Sequence, residues 1–224
     1  MAKLTHTSKS IAGQLEFYDD RAKNLDLIWC DQVLNLLNSD KSLLDIKSIK
    51  INDIGCNYFQ FYKEIKRQNI ENCYDYFGYD IDEHFIKLGL KYFPELDDRF
   101  QVSNVEEVMP RNGHVSIMSA ILEHSENPYQ LLGNVLKTTS NTVILRTFLG
   151  ENEIIDLIEL IDGEAVLSPY YINQFSLFKM INIFLEHGFT PTLHQDRATN
   201  HSAPYKITEP DMFRQMYILV GTKN

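Results

Sequence analysis

The sequence predicts an α/β protein built on a doubly wound sheet, and three observations carry that reading. Strand-length apolar runs alternate with helix-period segments from Ser48 to Phe148, the order that lays helices on both faces of a parallel sheet. The run KINDIG breaks at Gly55, where a strand gives way to a turn, and helical spacing resumes from Tyr58 to Ile65. A second apolar run, YFGYD, ends on the acidic Asp80, about 25 residues beyond the glycine.

In chain order, helical periodicity covers Gly13–Lys23 and Leu25–Asn38. The opening MAKLTHTSKSIAGQ lacks a secretory apolar core and is expected to be loosely ordered. Strand Ser48–Ile54 is followed by helix Phe59–Asn69, strand Tyr76–Tyr79 and helix Glu83–Tyr92. Asp82 stands where a capping carboxylate belongs for the last of these, which leaves Asp80 available for another role. A short strand Arg99–Val102 and a strand His114–Met118 precede a helix that opens on Pro128 and runs to Lys137. The apolar run Thr142–Phe148 supplies the next strand. Beyond it the polar, acidic stretch Gly150–Ser168 interrupts the alternation. Helix Gln174–His187 is then stopped by Gly188, and two late strands span Thr190–Gln195 and Gln215–Gly221.

One domain over residues 1–224 is expected, with 1–45 as an N-terminal helical cover and 150–172 as a small cap or lid insertion, or else a surface loop. The connection Asp196–Arg214 is long for a compact domain and is a candidate acceptor-site wall.

The turn after Ile54 would set peptide N–H groups and a helix N-terminus beside a ligand, while Asp80 could accept both hydroxyls of a ribose. A dinucleotide fingerprint requires G-x-G-x-x-G. Here Asn57 and Phe59 follow Gly55, so the pyrophosphate loop is missing. Asn57 tolerates a left-handed backbone, which preserves a tight turn without the close approach that a diphosphate demands.

At these residues the chain resembles the class I S-adenosylmethionine-dependent methyltransferases. DIGCNYF is similar to the first half of the family's first motif, and GYDIDEHFIKLGL to its second, with Asp80 as the ribose ligand. FQVSNVEEVMP resembles the third, where Asn104 stands in place of the usual Asp and Val105 would offer its amide to adenine. VSIMSAILEHSENP is similar to the fourth strand and its Leu-Glu-His turn, and EHGFTPTLHQ with RQMYILVGTK to the terminal hairpin.

The resemblance implies a Rossmann-like, seven-stranded, mostly parallel sheet with an antiparallel last strand, and S-adenosyl-L-methionine as cofactor. It places donor contacts at Asp53, Gly55, Cys56, Asn57, Asp80, Ile81, Asn104, Val105 and Ser119. FYDDRAKNLDLIW resembles the helix that covers the donor in many small-molecule methyltransferases, which makes Tyr18 and Arg21 candidates for the methionine end. The same segment reads equally as an amphipathic helix with Phe17 and Tyr18 on the sheet.

The implied reaction is displacement of the sulfonium methyl by a nucleophile, with proton removal for a hydroxyl acceptor. His124, at the carboxyl edge after the fourth strand, is the candidate base, and its plainer role is anchoring the turn. His194 and His201 are further candidates, whereas His187 reads as a helix C-terminal cap. Tyr170 and Tyr171 read as a lid edge or as core.

A net charge of −10, from 31 acidic and 21 basic residues, opposes capture of a phosphate backbone, so nucleic acid is not an expected acceptor. The basic run KEIKRQ at 63–68 reads as a solvated helix face. Three cysteines, Cys30, Cys56 and Cys73, lack metal-ligand spacing, and no apolar run is long enough to span a bilayer. The expectation is therefore a cytoplasmic enzyme without metal or membrane partner. A small-molecule acceptor, an oxygen of a sugar or related metabolite, is expected, with a homodimer as candidate assembly. The competing readings are a catalytically silent partner protein that keeps the fold, and an NAD-dependent enzyme.

Overall fold

The computed structural model describes residues 11–24, 27–161, 164–199, 205–206 and 213–223. The opening segment expected to be loosely ordered, residue His201 and much of the connection 196–214 lie outside these residues.

Helices α1 (Ile11–Asn24) and α2 (Ile28–Asn38) precede strand β1 (Ile49–Ile54), helix α3 (Gln60–Arg67), strand β2 (Tyr74–Asp80) and helix α4 (Glu83–Tyr92). Strands β3 (Phe100–Val102) and β4 (Gly113–Ser119), helix α5 (Pro128–Thr138) and the long strand β5 (Thr139–Gly150) follow. The chain then forms β6 (Leu157–Ile161), β7 (Glu164–Tyr171), β8 (Phe175–Ser176), α6 (Leu177–Glu186) and β9 (Phe189–Gln195). The short strands β10 (Tyr205–Lys206) and β11 (Phe213–Arg214) lead into β12 (Met216–Lys223).

The main path of the sheet runs β3-β2-β1-β4-β5-β12-β9, and β8 adds a short parallel pairing to β5. Strand β12 is antiparallel to both β5 and β9, while β1, β2, β3, β4 and β5 run parallel, as expected. Residue parity explains why these strands read as nearly continuous apolar runs. Ile51, Val115, Ile117, Ile144 and Ile218 meet Val33, Leu34, Phe61 and Ile65 on one face. Ile54, Met118, Val143, Leu145 and Leu219 meet Leu132, Val135, Phe184 and Phe189 on the other.

The interruption after β5 is not a surface loop. Strands β6 and β7 form an antiparallel hairpin whose foot joins a small apolar cluster of Phe148, Ile158, Ile172 and Met216, with Ala120 and Tyr170 beside it. Helix α6 begins three residues later than expected because Phe175–Ser176 extend beside β5 first. It ends where Gly188 adopts φ 79° and donates to the Leu185 carbonyl at 2.9 Å.

Two long-range ties hold the helical cover and the late strands to the sheet. Gln32 on α2 donates to the Gln195 carbonyl at 2.7 Å and accepts from the Arg197 amide at 2.9 Å. Arg146, inside β5, pairs with Asp196 through Nε at 3.1 Å and Nη2 at 2.9 Å. Burial alone would raise the Asp196 pKa, yet bonds from Arg146 and Thr199 outweigh it and hold the carboxyl below its ordinary value.

Removing one member of a buried pair leaves the other charge without compensation. Asp196→Ala is expected to lose about 3–5 kcal/mol of unfolding free energy. Arg146→Met with Asp196→Leu should lose distinctly less. Urea denaturation of the two variants checks the difference.

Candidate functional site

Strands β1, β2 and β4 end together, since Ile54 pairs with Tyr79 on one side and Met118 on the other. Neighbouring connections diverge at this point, which opens a crevice at the carboxyl edge. A cavity of about 550 Å³ lies there, within the range of small-molecule sites. Its walls include His124 and every donor contact anticipated from sequence except Asp53 and Cys56.

The turn that floors the cavity is built from three left-handed residues: Gly55 at φ 73°, Asn57 at 53° and Phe59 at 63°. Its peptide donors are all used internally. The Gly55 and Cys56 amides donate to the Tyr79 carbonyl at 2.7 and 2.9 Å, and the Asn57 amide to the Asp80 carboxylate at 2.8 Å. The Tyr58 amide donates to Asn57 Oδ1, and those of Phe59 and Gln60 to the Cys56 carbonyl. No N–H cradle therefore remains in this turn for a pyrophosphate, the feature on which a dinucleotide site depends.

Phe59 stands where the resemblance leads one to expect glycine. Its ring is fully buried, and space for it comes from Gly78 on β2 and Gly89 on α4, where a Cβ would come within about 3 Å of the ring. A left-handed non-glycine residue costs roughly 1–2 kcal/mol, which burial of the ring offsets with a contribution of similar size.

Asp53 and Cys56 face away from the cavity. The Asp53 carboxylate accepts the Tyr76 hydroxyl at 2.6 Å in the core, and burial pushes its pKa up to about 7 against that bond. The Cys56 thiol is buried beside Gly78. Alternation along β1 and the Gly55 bend dictate this: the residues before and after the bend are committed to sheet contacts. Gly55 itself supports a neighbour, because a Cβ there would overlap Ile121 Cδ1.

Asp80 is half-buried at the cavity wall, with one oxygen on the Asn57 amide and the other on the Asp82 amide at 2.9 Å. Burial, with the Asp82 charge adding to it, raises its pKa to about 6 against these bonds. Asp82 caps α4 through the His84 amide, as expected. Further along the wall, Asn104 Oδ1 accepts the Glu106 amide, and Ser119 Oγ accepts Arg146 Nη1 at 3.4 Å. Two cavity-lining polar atoms, Arg21 Nε and Ser103 Oγ, are buried without a hydrogen-bond partner among the described residues.

His124 lies on a 3-10 turn, Leu122–His124, entered through Ala120 at φ 56°. Its Nδ1 lies 2.8 Å from the Tyr171 carbonyl. A carbonyl only accepts, so Nδ1 carries the proton and the lone pair resides on Nε2. Burial lowers the imidazole pKa to about 4, against the opposing effect of that bond. Tyr170 packs at the imidazole edge, 6.3 Å between centroids. Beside it, Glu123 is fully buried and accepts from Thr147 at 2.8 Å, while its other oxygen has no partner among the described residues. Burial pushes its pKa up to about 7.

Sequence reasoning missed Trp29, Gln60, Ser103, Arg146 and Thr199, which also line the cavity. Arg146 carried a signal, a lone cation inside the apolar run TVILRTFLG that demands a buried partner. His194 is half-exposed on β9 and is not part of the cavity wall. Among the described residues, no group of three or more His, Cys, Asp or Glu could hold a metal ion, and no helix is long and apolar enough to cross a membrane.

The strand order and directions define the class I S-adenosylmethionine-dependent methyltransferase fold. Solved structures bear this out. The chain superposes on magnesium protoporphyrin IX methyltransferase (ChlM) from Synechocystis PCC 6803 with bound SAM at a TM-score of 0.56, with 13% identity over 98% of this chain and 86% of that one. It matches an S-adenosylmethionine-dependent methyltransferase from Clostridium acetobutylicum ATCC 824 at 0.62, with 8% identity over 96% of this chain and 100% of that one. Streptomyces venezuelae DesVI matches at 0.60, with 11% identity over 96% and 100%. No protein-family model and no curated protein matches the sequence.

Glu123 binds its proton more tightly folded than unfolded, so its burial costs nothing below about pH 4.5, and stability falls as pH rises from there through about 7. Glu123→Gln removes that cost. The variant is expected to gain on the order of 1–2 kcal/mol over the parent at pH 8 and little at pH 4.5, read from urea midpoints at the two pH values.

Proposed function

We propose that this chain is a methyltransferase that uses S-adenosyl-L-methionine to methylate a small-molecule acceptor, an oxygen of a sugar or related metabolite. The carrying observation is the Asp80 carboxylate, set at the cavity wall beside a turn whose amides are already satisfied. Each of its oxygens accepts one peptide N–H, and the remaining lone pairs suit the two hydroxyls of a ribose.

The donor set fits the rest of such a cofactor. Ser103 Oγ, Asn104 and the Val105 main chain lie on the side the base would take, with Ile81 beside them. Tyr18 and Arg21, whose Nε has no hydrogen-bond partner among the described residues, would meet the methionine carboxylate. When bound, the cofactor supplies an electrophilic methyl on a sulfonium.

The acceptor side is the work of the chain itself. His124 is unprotonated at neutral pH, and its Nε2 lone pair would take the proton of an acceptor hydroxyl as the new bond forms. Trp29, Ile121 and Thr199 would hold the acceptor in line. The same reading takes a single domain over residues 1–224 with a helical cover and a cap, acting on neither nucleic acid nor membrane. A cytoplasmic location and a homodimer belong to the same reading.

Calorimetric titration with S-adenosylmethionine and its demethylated product tests the site. Asp80→Ala is expected to weaken donor binding about 100-fold by removing two charge-assisted bonds, and Asp80→Asn to weaken it too, since its single carbonyl oxygen keeps only one of the two peptide N–H bonds. The ionised carboxylate is the binding form and its folded pKa is raised, so parent affinity should fall about tenfold from pH 7.5 to pH 5. Absence of heat with either ligand would instead favour the silent partner reading.

A screen of hydroxylated metabolites with radiolabelled donor identifies the acceptor. With that acceptor, His124→Ala should lower turnover about 100-fold at unchanged donor affinity. An unaltered turnover number removes His124 from the chemistry.

A further inference from the structure

Asn173 is wholly buried, yet it does not line the cavity. It sits at the foot of the β6–β7 hairpin, with its main-chain N–H, Nδ2 and Oδ1 all hydrogen-bonded. Its amide donates to the Glu123 carbonyl at 2.8 Å, and its Nδ2 to the Ser125 carbonyl at 3.0 Å. Its Oδ1 accepts the Asp156 amide at 3.2 Å, across the root of the hairpin. Next to it Ile172 donates to the Asp156 carbonyl, and Gln174 exchanges two bonds with Ile154, so both legs of the root are fixed.

These bonds bracket His124. Its two chain neighbours, Glu123 and Ser125, are gripped through their carbonyls by Asn173, while its own ring donates to Tyr171, two residues before Asn173. The carbonyl that selects the imidazole tautomer and the backbone that carries the imidazole are thus tied to one another through one residue, by its main-chain amide at Glu123 and by its side chain at Ser125. A third tie runs the other way: Ser125 Oγ donates to Glu106 at 2.6 Å, on the loop that lines the opposite wall of the cavity. The turn is held from two sides, and the hairpin side supplies the Tyr171 carbonyl on the imidazole.

We propose that Asn173 is a positioning residue that holds the His124 ring against the Tyr171 carbonyl, so that Nε2 stays the unprotonated nitrogen facing the acceptor. The inference rests on the transfer reading for its use in catalysis, and on the hairpin geometry alone for the state of the ring. An amide side chain is the group that can do this, because the site asks for a donor toward Ser125 and an acceptor toward Asp156 on one planar head. A carboxylate of the same shape would set oxygen against oxygen at Ser125.

Nitrogen-15 spectra of the histidine rings at neutral pH, recorded on the whole protein without ligand, test the geometry. The parent should show His124 as the Nδ1–H form. Asn173→Ala should convert it to a mixture of tautomers while His187 and His194 keep their signals. Asn173→Asp, which preserves volume and the Asp156 bond, should do the same and decides the matter if the alanine variant does not fold.

With an identified acceptor, both variants should lose about tenfold in kcat while donor affinity stays within about twofold, against the 10²–10⁴ range of a correctly placed base. An unchanged His124 tautomer in the folded variants overturns the proposal, as does a change at all three histidines together. If the parent binds no donor, the transfer reading falls, and the ring spectra still decide the role of Asn173.

Discussion

The bond from the Asn57 amide to the Asp80 carboxylate is the constraint on which the site depends. It joins the bend after β1 to the end of β2, so the two parallel strands finish as one rigid edge. Because the carboxylate is anchored by main-chain donors on both oxygens, its position is set by the sheet register and not by a mobile side chain. The bend pairs with the end of β2 through the Tyr79 carbonyl as well, which takes two amides. A ligand at this edge therefore meets an acceptor already in place, without the entropy of ordering one.

That rigidity explains how the bend tolerates Phe59. Glycine usually serves at a left-handed position for lack of a Cβ. Here the side chain became part of the core, and the small residues moved to Gly78 and Gly89, the surfaces facing the ring. The missing glycine reads in sequence as decay of a motif, whereas the packing around the ring is an exchange of volume between three elements. Only the second view separates a damaged turn from a repacked one.

The sheet was legible because its strands are apolar on both faces and its helices carry plain caps, Asp82 and Gly188 among them. The hairpin at 157–171 was less so: the acidic and polar residues in and before it suggested a loop or lid, and the apolar contacts of Ile158 and Tyr170 are made with residues from other strands, Phe148 and Met216 among them. The cavity-lining residues on the three strand ends could be read from local order, since register carries them to one edge. Arg146 with Asp196, fifty residues apart, and Asn173 with Ser125, 48 apart, depend on tertiary closure, and no local pattern reports it. Asp53 was misplaced for a related reason. Its motif position was clear, but alternation along β1 turns its side chain toward Tyr76.

The electrostatics of the edge choose between kinds of ligand. Burial raises the pKa of both Asp53 and Asp80, the Asp80 charge adds to the shift at Asp53, and the Asp82 charge adds to the shift at Asp80. The nearby Arg146 charge is already neutralised by Asp196, and burial keeps His124 unprotonated. Positive charge introduced at this end of the cavity relieves the strain on two carboxylates; negative charge adds to it. A diphosphate would have to enter that field with no amide cradle to receive it, since the turn's N–H groups are spent on β2 and on the turn itself. A sulfonium asks for no such cradle.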